Sequence, residues 1–113
     1  MVDYTLTIIE SPYSADNGRT IEENVKYAWQ CVNDSIDRLE APFASHLFYP
    51  NVLNDDERAE RKLGMELGYQ WGSVAPLVAV YTDHGISDGM MEGITRAAQA
   101  GSEIEFRRLG PDA

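Results

Sequence analysis

The sequence predicts a small doubly wound α/β domain: a mostly parallel sheet of about four strands, ordered 2-1-3-4, with three main helices. Three observations carry this. Strand-like apolar runs alternate with helix-period segments along the whole chain. The connections are long enough for crossovers, which demand parallel strands and a right-handed path. And 113 residues suit one domain that buries a core without metals or disulfides. Residues 1–109 read as that domain and 110–113 as a C-terminal tail.

Tyr4–Glu10 is β-branched and aromatic and stops at Ser-Pro, a first strand. Ser11–Arg19 is a loop whose Asp16-Asn17-Gly18 supplies turn chemistry. Thr20 then opens a helix with a capping box to Glu23. Ile21, Val25, Ala28, Val32, Ile36 and Leu39 form its apolar stripe. Glu40-Ala41-Pro42 ends the helix, and Phe43–Tyr49 reads as the second strand, closed by Pro50. Asn54 is the expected cap of a second helix, with Glu57 bonding back and Ala59, Leu63, Leu67 and Trp71 facing inward. Arg58, Arg61 and Lys62 sit early in it, unfavourably for the helix dipole unless they meet a partner or ligand charge. Pro76–Thr82 is the third strand. A third helix runs from Ser87 as N-cap to a stop at Gly101, with Met90 or Met91, Ile94 and Ala97 or Ala98 inward. Glu103–Arg107 makes a short last strand.

In the order 2-1-3-4 the switch point lies between strands one and three, where ligands of such sheets bind. Two corners meet there, Glu10-Ser11-Pro12-Tyr13 and Asp83–Gly89. Asp83, Ser87, Asp88 and Glu92 gather at the second. Capping explains Ser87 and Asp88; the alternative is that these carboxylates hold sugar hydroxyls or act as acid, base or nucleophile. Gly85 and Gly89 allow close backbone approach. Tyr13 either stacks on a base or covers the core edge. His46, inside the expected second strand, reads as a hydrogen-bonded structural histidine before a catalytic one. Trp29 and Trp71 read as core or subunit contacts, and Met90 as a core plug or an adaptable wall at the pocket mouth.

With two histidines and a single cysteine, Cys31, no ligand set for a transition metal is present, and no cofactor is implied. The lone cysteine fits a reducing, cytoplasmic setting. A net charge of −10 disfavours a nucleic-acid polymer. No apolar run reaches the roughly twenty residues that cross a bilayer.

The order of strand, Ser11-Pro12-Tyr13, polar loop and helix, closing on Gly85-Ile86-Ser87-Asp88-Gly89-Met90 and an Ala-rich helix, resembles the nucleoside 2-deoxyribosyltransferase-like superfamily and its small phage and bacterial branch. The likeness spans nearly the whole chain and implies a flavodoxin-like sheet. Ser11-Pro12-Tyr13 stands where that superfamily has Gly-Pro-Phe or Gly-Pro-Tyr, and Asp83 and Gly89 match its second motif. The resemblance implies a pocket for a nucleoside or nucleotide, and the residues expected to line it are Ser11, Pro12, Tyr13, His46, Asp83, His84, Gly85, Ser87, Asp88, Gly89 and Met90. It also implies a homo-oligomer in which a neighbour completes the pocket. Active members break or transfer an N-glycosidic bond through a glutamate four residues after the motif glycine. That position is Gly93 here, and Glu92 is one residue early, rotated roughly a hundred degrees around the helix. The expectation is therefore a nucleotide-binding protein without the usual nucleophile, a sensor or a sequestering phage protein. The alternative is an N-glycosidase or deoxyribosyltransferase using Glu92, with Asp83 assisting.

Overall fold

The structure is a computed structural model that describes residues 3–15 and 18–113; the Asp16-Asn17 part of the expected turn lies outside them. A four-stranded, all-parallel sheet in the order β2-β1-β3-β4 forms the centre. Its strands are β1 (Thr5–Glu10), β2 (Glu40–Phe43), β3 (Leu77–Tyr81) and β4 (Glu103–Arg107). The helices are α1 (Ile21–Asp37), α2 (Ser45–Phe48), α3 (Arg58–Gly72) and α4 (Asp88–Gln99), with a 3-10 turn at Tyr49–Asn51. This is the flavodoxin-like doubly wound arrangement.

β3 is buried at every residue, as a central parallel strand covered on both faces must be. Alternation along the strands then sorts the core into two layers. On one face Ile9, Ala79 and Tyr81 pack with Tyr27 and Cys31 of α1. On the other, Val78 and Val80 meet Met90 and Ala97 of α4, with Ile8 and Ile104 at the margin. Glu10 follows Ile8 in the two-residue period, so its side chain emerges on the α4 face at the strand's carboxyl end.

Both expected helix starts at Thr20 and Ser87 are present. Thr20 and Glu23 form the reciprocal capping box, and Ser87 Oγ accepts the Met90 amide at 3.2 Å.

Three expectations are corrected. The second strand is Glu40–Phe43 rather than Phe43–Tyr49, and residues 45–48 are helical. Leu39 adopts a left-handed φ of 63°, turning the chain sharply out of α1. Glu40 is then pinned by Arg107 at 2.6 Å and Ser35 at 2.7 Å, which starts pairing three residues early. Pro42 is tolerated because β2 is an edge strand. The buried face of α1 is Asn24, Tyr27, Ala28, Cys31 and Ser35, whereas Ile21, Ile36 and Leu39 are exposed. Polar anchors set that rotation: Asn24 donates to the Tyr13 and Ser14 carbonyls, and Tyr27 and Ser35 reach Asp83 and Glu40.

Finally, α3 begins at Arg58 after Glu57, and Asn54 instead caps the preceding turn by accepting the Asp56 amide. Its inward face holds Gly64, Gly68 and Tyr69, while Leu63 and Trp71 are exposed. Gly68 lets α3 close onto α2: a Cβ there would lie 2.6 Å from Ser45 Oγ. Trp71 packs on Phe43, ring centroids 5.5 Å apart, and donates to Tyr49 Oη. Neither Trp71 nor Trp29, each more than half exposed, belongs to the core.

Candidate ligand cavity at the switch point

A cavity of about 330 Å³ opens at the carboxyl end of β1, within the size range of small-ligand sites. Its floor comes from Glu10, Ser11 and Tyr13, leaving β1. One wall is the amino end of α4, Ser87–Met90; the others are α2 with the 3-10 turn (Ser45, His46, Tyr49) and α3 (Arg61, Gly64, Met65, Tyr69). The two sequence-distant corners thus converge on one space, because β1 and β3 are parallel neighbours. With the Met90 amide taken by Ser87 Oγ, the amides of Asp88 and Gly89 have no acceptor among the described residues, as at any helix start.

The floor is electrically quiet. Ser11 Oγ and His46 Nε2 share a hydrogen bond of 2.7 Å, and burial pushes the His46 imidazole down to about 4, so it is neutral at pH 7. Burial alone pushes Glu10 up to about 8; its carboxyl has no hydrogen-bond partner among the described residues. Tyr69 is pushed up to about 12 by burial first, then by the charges of Glu92 and Glu10. Its hydroxyl is buried without a partner. Around the mouth stand the carboxylates Asp55, Glu60 and Asp88 and one guanidinium, Arg61, which donates to Ser14 Oγ at 3.2 Å. Tyr13, partly covered there, is raised by burial and then by Asp55 and Asp56.

Seven of the expected site residues line this space: Ser11, Tyr13, His46, Ser87, Asp88, Gly89 and Met90. His46 arrives there on α2 rather than in a strand. The others stand elsewhere. Pro12 is fully buried. The Asp83 carboxylate accepts from Tyr27 Oη at 2.6 Å, from the Leu109 amide at 3.0 and 3.1 Å, and from the Gly110 amide at 3.1 Å. Burial raises its affinity for a proton, but these donors outweigh it and hold Asp83 below the usual range. His84 packs edge-on against Tyr27 at 4.5 Å. Gly85, at φ +84°, makes the turn that returns its amide to the Thr82 carbonyl. Glu92 is exposed and outside the cavity.

The family profile described as a domain of unknown function (DUF7768) matches residues 5–107. The chain belongs to the DUF7768 family. No curated protein and no solved structure matches it. Among the described residues, this DUF7768 domain has no cluster of metal-ligating side chains and no helix long and apolar enough to cross a membrane.

Sequence reasoning passed over Ser45, Tyr49 and Tyr69, marked Arg61 only as a cation in need of a partner or ligand charge, and gave Glu10 no role of its own. A carboxylate ending the apolar strand Thr5–Glu10 was the available signal. Its counterpart is Gly93: a Cβ there would lie 2.7 Å from Glu10 Cδ. The space left by the missing side chain on α4 is filled by the carboxyl of β1.

Proposed function

We propose that this domain binds a nucleoside, or a nucleotide of low charge, in the cavity between Ser11–Tyr13 and Ser87–Met90. The observation that carries the reading is the floor: neutral hydrogen-bonding groups at Glu10, Ser11 and His46 beside the tyrosines Tyr13, Tyr49 and Tyr69. Neutral polar groups suit a base and sugar, and tyrosine faces suit stacking. Three carboxylates against one guanidinium at the mouth oppose a polyphosphate, whose charge they would repel. Arg61 and the free amides of Asp88 and Gly89 leave room for a single phosphate.

Binding without cleavage is the favoured form of this reading, since Glu92 is outside the cavity. The test is thermal unfolding with each ribo- and deoxyribonucleoside and its 5′-monophosphate, alongside detection of free base. A true ligand held at a hundred-fold excess over Kd stabilises by about 2.7 kcal/mol. Stabilisation without base release supports the proposal. Base release points to catalysis, and no stabilisation by any of them refutes it.

A further inference from the structure

The ligand cavity does not end at its floor. A second cavity of about 380 Å³ lies between α3 and α4 against Ile8 and Val78, and the two share Glu10, Ser45 and Tyr69 as a common wall. Two glycines build that wall. Gly68 on α3 and Gly93 on α4 are buried, and a Cβ on either would stand 2.6 Å from Ser45 Oγ or 2.7 Å from Glu10 Cδ. Neither glycine is among those with positive φ, so the close approach explains them and the turn geometry does not. Each facing helix has given up a side chain to admit a polar group.

The Glu10 carboxyl that Gly93 admits has no hydrogen-bond partner among the described residues, and the Tyr69 hydroxyl in the same wall is buried without one. An unpaired buried polar group such as the Tyr69 hydroxyl is costly, and a ligand that pairs it, reaching Glu10 beside it, recovers the cost. The charged and titratable groups around Glu10 leave it uncommitted. His46 from α2 is bonded to Ser11 at 2.7 Å. From α3, Tyr69 is covered by the Arg96 guanidinium at 4.6 Å from its ring, and Arg96 is itself paired with Glu66 at 2.9 Å. On α4, Asp88 and Glu92 add only negative charge. No cation is seated on Glu10, and a lone carboxyl so enclosed keeps its proton at neutral pH.

We propose that Glu10 and Tyr69 are the specificity-determining pair of the ligand site, the Glu10 carboxyl meeting the donor–acceptor edge of a neutral nitrogen heterocycle through two hydrogen bonds. A carboxylic acid offers one O–H and one carbonyl side by side, which matches the ring nitrogen and amino group of an amidine edge or the N–H and carbonyl of a lactam. The assignment rests on the nucleoside reading of the cavity and adds which part of the nucleoside enters deepest.

The test is calorimetric titration of adenosine, cytidine, uridine and, as a probe without such an edge, ribose, into the full chain at pH 6.5 and pH 8.5. At least one nucleoside binds at pH 6.5 and ribose does not. Affinity falls about fourfold at pH 8.5, following the protonated fraction of a group titrating near 8. Glu10→Gln, which keeps a donor and an acceptor, binds at both pH values without that fall, and Glu10→Ala loses at least tenfold. Nucleoside binding that is equal at the two pH values, or unchanged in Glu10→Ala, overturns the assignment while leaving the nucleoside reading intact. Tightening at pH 8.5 overturns it in favour of a cationic ligand on an ionised Glu10. Failure of every nucleoside to bind overturns both. Without any ligand, the Glu10 side-chain carboxyl followed by carbon NMR titrates near 8; a midpoint near 4.5 also overturns the assignment.

Discussion

Replacing Glu10 by Gln removes a pH-dependent liability of the fold near neutral pH, and its size follows from the structure. In the unfolded chain this carboxyl releases its proton near 4.5; in the folded protein, half-buried in the cavity wall and unpartnered, it holds the proton to about 8. Between those values the native state binds more protons than the unfolded state, so stability falls as pH rises through the window and levels off above it. At about 1.4 kcal/mol per pH unit, the ceiling is about 5 kcal/mol. Glu10 retains some contact with water through the cavity, which brings the expected loss to about 2–3 kcal/mol between pH 5 and pH 9. Gln has the same shape and does not titrate. Urea unfolding of both proteins at pH 5, 7 and 9 isolates the effect, because every other titrating group is common to the two and cancels in the difference. The Gln variant gains about 2–3 kcal/mol on the wild type across that range. Parallel stability curves, or a gain by the wild type on the alkaline side, would refute a proton-holding Glu10.

Four further outcomes are expected. Gly93→Ala, whose Cβ meets Glu10 Cδ at 2.7 Å, costs about 1–3 kcal/mol in urea unfolding. Combining it with Glu10→Ala recovers part of that loss, a coupling that separate sites would not show. Asp83→Ala strands the Tyr27 hydroxyl and the Leu109 and Gly110 amides and costs about 2–4 kcal/mol, with faster proteolysis at the C-terminal end. Arg107→Met leaves Glu40, paired at 2.6 Å with an Arg107 side chain only 2% exposed, without its cation, and lowers stability by about 3–5 kcal/mol. Cys31 is buried and its thiol is pushed up to about 12, by burial first, so a maleimide reagent at pH 7.5 labels it only in denaturant.

Much of the architecture was legible because independent signals agreed. β1, β3 and β4 were bounded by turn residues, and the caps at Thr20 and Ser87 fixed where two helices begin. The second strand was misplaced because Phe43–Tyr49 is as apolar as a strand, while the true β2 is ordered by long-range pairs from Glu40 to Arg107 and Ser35. Such pairs leave no local trace. The inward faces of α1 and α3 were rotated for a related reason. Periodicity weighs methylenes, whereas Asn24, Tyr27 and Ser35 on α1 and Gly68 on α3 orient their helices by hydrogen bonds and by closeness of approach. The sheet order brought the Glu10–Tyr13 corner and the Ser87–Gly89 part of the other to one cavity, whereas Asp83, His84 and Gly85 of that second corner do not line it. The role of Glu10 was not foreseen, because a glutamate at a strand end ordinarily reaches water, and what encloses this one is an absent side chain on Gly93, eighty-three positions away.

The outer rims of the sheet bear on how copies of this chain keep apart. β2 is only four residues long and contains Pro42, which brings no amide hydrogen. On the opposite rim β4 carries Glu103 and Glu105. A second molecule adding its own strand to the first rim would find few bonds to make; on the second, identical strands would bring like charges together. Growth into a continuous ribbon of strands is discouraged from both sides, and the exposed aromatic surface, Trp29 and Trp71, lies on the helices instead.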